Sequence, residues 1–269
     1  PYSDEDIAQA RADLAAQAGN ENGDTEGLLA RYPKANIGDF LFRFRNLLFP
    51  LCLPLAFLPG PRLLDDALVA AALGFAASAV GELVRASTIG LQYIVRGGRD
   101  RRVYAKDLVT GGLYSHTRNP MYVGNMLILI GLAVASNSWT CVAVAIPFYA
   151  FVCAAIVAAE ERYLRDRFGA DFDAYCRDVP RWLPRLQGIG AALANHSFNW
   201  RRVVLDANGT PTGWVLAWGV LVLWNLSRSG ADAAANRPAV VVVATVMAAI
   251  LAFWILARIV KKSRRWGAV

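Results

Sequence analysis

Six stretches of this 269-residue chain approach the length at which an α-helix crosses a bilayer, about 20 mostly apolar residues. They run over 40–59, 67–84, 119–136, 139–159, 213–226 and 239–257. In hydrocarbon every backbone N–H and C=O must be satisfied internally, so only helices and closed barrels span a membrane, and runs of this length fit helices. Composition agrees: 18% of residues are charged, against about 25% in soluble domains. The expected fold is therefore all-α, a polytopic transmembrane helical bundle of about six spans. Pro50 and Pro54 predict a kink or a re-entrant turn in the first stretch. The fifth stretch is short and needs Arg228 to snorkel.

Basic side chains test that count independently, because Lys and Arg accumulate in cytoplasmic loops. With six alternating helices, all but Arg62, Arg228 and Arg237 of the 28 lysines and arginines fall on one side. That side is expected to be the cytoplasm, holding both termini as well, in an inner or plasma membrane. The net charge of +7 then faces anionic lipid headgroups rather than nucleic acid. The head of the chain differs, with eight acidic residues up to Asp39 and an Ala-rich run over 4–18 that reads as a solvated helix. No signal-peptide pattern is visible there. The expected division is a cytoplasmic appendage over 1–39, a membrane core over 40–186 and an extension with two further spans over 187–269. Cys52, Cys141, Cys153 and Cys176 form no CxxC pair, and His116 and His196 are far apart. A disulfide framework, a zinc site and histidine-rich metal catalysis are not expected.

Chemistry is expected in the long cytoplasmic segments, which helix packing alone does not require. Gly111 and Gly112 permit a tight turn or a close backbone approach to a ligand. Asn119 before Pro120 reads as a helix start, with an Asn side chain capping a free amide and Pro in the first helical position. Those first amides, with Arg118 beside them, suit an anionic group. Glu160 and Glu161 abut the end of the fourth apolar run, where a carboxylate can hold an ammonium group. Alternatively, Glu161 and Arg165 form an ordinary pair one turn apart. Only Asn137 and Ser138 separate the third and fourth runs, which predicts an antiparallel helical hairpin. The hairpin brings the Asn119 start and the Glu160 end to one membrane face, where they can address both ends of a zwitterion. Glu82 and Arg85 are expected to pair, and Asn125 to make an interhelical hydrogen bond. Gly124 and Gly131 read as a close helix contact. Tyr104, Tyr149, Trp139, Trp182 and Trp214 read as interfacial anchors.

The ordered motifs LVT, GLY, RNPMYVGN, a short hairpin, EE and FGADFDAYCRDVPRWLP span about 81–184. This order resembles the integral membrane methyltransferases that include isoprenylcysteine carboxyl methyltransferases and phospholipid methyltransferases. The resemblance implies S-adenosylmethionine as methyl donor in a cytoplasmic cofactor pocket. It implies contacts from Lys106, Asp107, Leu108 and Val109, then Tyr114, then the signature residues Asn119, Pro120, Met121 and Tyr122, with Glu160 as the contacting carboxylate. Arg118 and Glu161 add further contacts. Many relatives have His at the position of Asn119, and the prenylcysteine enzymes have Arg at the position of Ile156, which counts against a prenylcysteine substrate. The expected acceptor is a membrane lipid or amphipath with a headgroup amine or carboxylate. A small thiol, a nicotinamide-dependent lipid reductase on a similar fold, or a non-catalytic membrane binding protein are the alternatives. No Gly-rich dinucleotide fingerprint supports the reductase, and His116 reads as an interface residue rather than a base.

Overall fold

The computed structural model describes residues 40–42, 44, 53–57, 60–91, 105, 107–190, 197–206, 208–228 and 233–266. Its described secondary structure is helical apart from one isolated antiparallel bridge between Arg62 and Ser138. The main helices are α1 (Ala67–Leu91), α2 (Pro120–Ala135), α3 (Trp139–Phe168), α4 (Ala170–Asp178), α5 (Trp200–Asp206), α6 (Gly209–Arg228) and α7 (Ala233–Trp266). Short 3-10 turns occupy Leu53–Phe57 and Gly112–Ser115. Among the described residues, three helices are long and apolar enough to cross a membrane: α1, α3 and the Ala235–Ser263 part of α7. The expected first span lies largely outside the described residues, as do the Ala-rich run over 4–18, Tyr104 and His196.

Local chemistry sets the helix ends. The Asp66 carboxylate accepts hydrogen bonds from the Leu68 and Val69 amides at 2.7 and 3.3 Å, satisfying donors that a helix start leaves open. Pro120 opens α2 as expected, but Asn119 does not cap it through its side chain. Its Nδ2 donates instead to the Arg181 carbonyl at 3.1 Å, because that carbonyl is brought alongside by tertiary packing. Between α2 and α3, Asn137 takes a left-handed φ of 52°, which Asn tolerates better than most residues. Its side chain both accepts from and donates to the Leu64 backbone, at 2.8 and 2.9 Å. Ser138 then accepts from the Cys141 amide and starts α3. The helix does not end with its apolar run; it continues past Glu160 and Glu161 to Phe168. At 30 residues it extends about 45 Å, beyond the roughly 30 Å hydrocarbon layer.

The tightest seam joins α1 to α2. Glycines seven apart on each helix meet, Gly74 against Gly131 and Gly81 against Gly124. A Cβ on Gly74 or on Gly81 would stand 2.5 Å from the partner glycine's carbonyl oxygen. In lipid, such close approach is a main source of helix association, since no hydrophobic force favours contact between helices over contact with acyl chains. The expected Gly124 and Gly131 contact is thus present, with its other half on α1.

α6 packs on this pair through polar side chains. Trp218 donates to the Ala71 carbonyl at 2.8 Å, Trp214 to Glu82 at 3.2 Å, and Asn225 to the Ala135 carbonyl at 2.9 Å. Arg85 binds Asn125 on α2 and Thr210 on α6, and lies 3.8 Å from Glu82. Both the expected Glu82–Arg85 pair and the interhelical role of Asn125 are therefore present. Two expected interfacial anchors prove to be core residues instead: Trp214 packs against Phe75, and Tyr149 packs against Cys153. Trp139 is exposed and Trp182 half-buried. Much of α7 carries exposed Val, Leu, Ile and Phe, as a lipid-facing helix does.

Overpacking a seam bounded by backbone costs about 1–3 kcal/mol. Gly81→Ala should therefore lower the thermal unfolding midpoint of the detergent-solubilised protein. Gly190→Ala, where the added methyl meets open space, should not.

Candidate functional site

The site assembles at the end of the bundle where α2 begins, and α3 passes it from the other direction. The Tyr122 hydroxyl, in the first turn of α2, donates to Glu160 Oε1 at 2.9 Å. Residues 38 apart in sequence thus meet on one face, as a hairpin requires. Glu160 is half-buried, while its neighbour Glu161 is buried. The two carboxylates have different surroundings. Glu161 Oε1 lies 3.2 Å from Arg118 Nη1 and accepts from Arg181 Nε at 3.1 Å, and its Oε2 accepts from Arg181 Nη2 at 2.5 Å. Arg165 turns away to Asp173 at 2.8 Å. The expected local alternative, Glu161 with Arg165, is replaced by these two long-range pairs because the neighbouring segments supply cations to the buried face.

A clasp of hydrogen bonds holds the segment before α2 against the segment after α4. The Arg118 amide donates to the Pro180 carbonyl at 2.9 Å, and the Arg185 amide to the His116 carbonyl at 3.0 Å. The Thr117 hydroxyl is 3.2 and 3.1 Å from the Arg181 and Trp182 carbonyls. His116 Nδ1 is 2.7 Å from the Arg185 carbonyl; a carbonyl only accepts, so Nδ1 carries the hydrogen. The Tyr175 hydroxyl donates to the Tyr114 carbonyl at 2.7 Å. Burial pushes the Tyr175 phenol well above its ordinary value, with Arg118 opposing the shift and Cys176 and Glu161 adding to it. It therefore stays a donor at neutral pH.

The glycine turn ahead of the clasp is present, with Gly112 at a left-handed φ of 60°. Tyr114 is buried just after it, Leu108 and Val109 are half-buried, and Asp107 is exposed. Lys106 lies outside the described residues. Pro120 and Asn119 are buried, and Met121 and Tyr122 half-buried. Two polar features stand out at the α2 start. No side chain of Asn119 caps the first turn. Arg118 gives Nη1 to Glu161 and to the Cys176 sulfur at 2.7 Å, yet its buried Nε has no hydrogen-bond partner among the described residues. The sequence reading missed Arg181, Tyr175, Cys176 and the clasp as a whole. Arg181 sits inside a quoted motif, but nothing local marks it as the partner of Glu161, 20 residues away.

Residues 63–171 match the family model described as phospholipid methyltransferase. The resemblance to integral membrane methyltransferases is thereby confirmed for this segment, which includes the glycine turn, the α2 start and both glutamates. It stops short of the 180–185 half of the clasp. The chain is 32% identical over 133 residues to the nickel-cobalt-cadmium resistance protein NccN of Alcaligenes xylosoxydans xylosoxydans, covering 49% of this chain and 59% of that protein. It is 38% identical over 79 residues to the cobalt-zinc-cadmium resistance protein CzcN of Cupriavidus metallidurans, covering 29% of this chain and 36% of that protein. The chain thus spans about three fifths of the first relative's length and about a third of the second's. No solved structure matches. Among the described residues no group of three or more His, Cys, Asp and Glu is placed to hold a metal ion.

Two outcomes test the site's framework. Glu161→Gln leaves Arg118 buried without its counter-charge, a change that costs about 3–5 kcal/mol. It should open the clasp to limited proteolysis between 114 and 119, whereas Arg181→Gln, at a half-exposed side chain, should do so far less. Tyr175 is neutral when protonated, so its raised folded value makes its contribution present below the unfolded value of about 10 and lost as pH rises above it. The unfolding midpoint should accordingly fall more steeply above about pH 10 in the wild type than in Tyr175→Phe.

Proposed function

We propose that this protein is an integral membrane methyltransferase that uses S-adenosylmethionine to methylate a lipid-like or amphipathic acceptor at a headgroup amine or carboxylate. The observation that carries the reading is the Tyr122–Glu160 contact, which sets a carboxylate beside an uncapped helix start. The family match over 63–171 supplies the methyltransferase class. The residues fit the donor's methionine end. The α2 amides and the unpartnered Nε of Arg118 suit a carboxylate. Glu160 suits an ammonium. Asp107, Leu108, Val109 and Tyr114, with Lys106 ahead of them, would flank the remainder.

When bound, the donor supplies a methyl group on a sulfonium. The chain's own work is to align the partners and exclude water, which can account for much of the catalysis of such a displacement. Glu161 acts through Arg118, whose guanidinium it fixes just ahead of the helix start. Asn119 and Pro120 fix where α2 begins, and the Asn119 side chain ties that start to the 180–185 segment. A carboxylate acceptor needs no base. An amine must shed a proton, and His116 is committed to the clasp through Nδ1. The six-span count, the placing of the site at the cytoplasmic face and the division at 39 and 186 belong to the same proposal. The positive charge clustered near the site supports that orientation.

Glu160→Gln and Tyr122→Phe should both weaken donor binding in a calorimetric titration, the first severely, while gel filtration shows the bundle intact. Unchanged affinity in Glu160→Gln would remove the donor assignment. Incubation of protein and extracted membranes with methyl-labelled donor should place label in a lipid fraction; reduction of a lipid without labelling, or binding without turnover, would overturn the reading. Because the two relatives are named for metal resistance, the Glu160→Gln variant should also be compared with wild type for growth in nickel, cobalt, zinc and cadmium.

A further inference from the structure

A cavity of about 520 Å³ opens at the other end of the bundle, within the range of ligand sites, roughly 300–1,000 Å³. It lies between the start of α1, the α2–α3 turn and the end of α6, with Arg62, Asp65, Asp66, Asn137, Trp224 and Arg228 in its lining. α2 separates it from the Tyr122–Glu160 site by its 16-residue length, roughly 24 Å. Two of the three basic residues that break the charge alternation of the sequence, Arg62 and Arg228, thus meet in one cavity. Arginine on that face runs against the bias that governs membrane loops.

Opposite charges line the cavity without neutralising one another. Among the described residues neither Arg62, Asp65, Asp66 nor Arg228 enters an ion pair. Asp66 spends Oδ1 on the α1 start. Arg228 is not loose: its guanidinium lies 5.5 Å from the Trp224 ring centroid, and that ring packs edge-on against Phe57 at 5.6 Å. The wall is rigid as well, since Asn137 is bonded twice to Leu64 and the Trp139 amide donates to the Pro61 carbonyl at 3.0 Å. Exposed Leu68 and Phe57 continue the rim as apolar surface, so the cavity sits where a polar group joins an apolar tail.

We propose that this cavity binds a zwitterion of phosphate and primary ammonium, with the phosphate at Arg62 and Arg228 and the ammonium at Asp65, as a second site remote from methyl transfer. The four charged side chains are exposed and line one cavity, so a ligand carrying both signs matches the lining, whereas an anion alone leaves Asp65 opposed to it. The proposal rests on the membrane reading of the bundle and not on the methyl donor.

The test uses the full-length purified protein, stripped of lipid in detergent and examined by native mass spectrometry with added dioleoyl phosphatidylethanolamine or phosphatidylglycerol. Free phosphoethanolamine is titrated calorimetrically in parallel. The ethanolamine lipid should be retained over the glycerol lipid, and each of Arg62→Gln and Arg228→Gln should lower its retention about fivefold, the effect of one arginine near a phosphate. Asp65→Asn should erase the preference between the two lipids. Arg62→Lys and Arg228→Lys, which keep charge, should retain binding, and Glu160→Gln should leave it unchanged, so a failed donor assignment does not affect the result. Comparable binding of free phosphoethanolamine marks a soluble source for the zwitterion, and binding of the lipid alone marks a headgroup. Equal retention of both lipids by the wild type, or unaltered retention in the double glutamine variant with a normal elution profile, overturns the proposal.

Discussion

Backbone-to-backbone contact between α1 and α2 is the constraint on which the remaining arrangement depends. Hydrocarbon offers no hydrophobic reason for two helices to leave lipid for each other, so close approach must come from shape. Gly74, Gly81, Gly124 and Gly131 supply that shape. Once the helices touch, Arg85 lies along Gly124 and reaches Asn125, and α6 can bond to both helices through Trp214, Trp218 and Asn225. An ionisable group placed so deep would be costly if it stood alone. Here Arg85 has partners on α1, α2 and α6, and its burial ties three helices into one body.

Adjacent glutamates on α3 then take different tasks because a helix points neighbours in different directions. Glu161 faces the clasp and is held by two arginines, one from the α2 approach and one from the segment after α4. Glu160 faces the first turn of α2 and meets a tyrosine hydroxyl. The first carboxylate fixes the frame, and the second meets the first turn of α2 at the edge of that frame. Tertiary contact, not the EE dipeptide, separates the roles.

The two ends of the bundle also differ in how charge is handled. Near the Tyr122–Glu160 contact, Arg118 and Arg181 lie close to a carboxylate partner, Glu161. At the hairpin end, arginines are few, and Arg62 and Arg228 share a cavity with two aspartates without joining them.

The chain's order of apolar runs, its Asn-Pro helix start and its two-residue hairpin are local or periodic signals, and the described helices follow them: α2 opens at Pro120, Asn137 turns the chain, and Glu160 meets the start of α2. The same local reading extended too little along α3, because polarity ends a membrane span but does not end a helix. It assigned Trp214 and Tyr149 to the interface because an aromatic residue near a span boundary looks alike whether it faces headgroups or a neighbouring helix. It also gave Asn119 a capping role that depends on what else competes for the side chain. By itself the sequence determined that the chain is helical, membrane-suited and equipped with an anion-friendly helix start and nearby carboxylates. Only tertiary structure decided that Arg181 claims Glu161, that Asn119 binds the 181 carbonyl and that Arg62 and Arg228 share one cavity. Those outcomes join residues tens to more than a hundred positions apart, where no spacing rule acts and only the packing of helices chooses the partner.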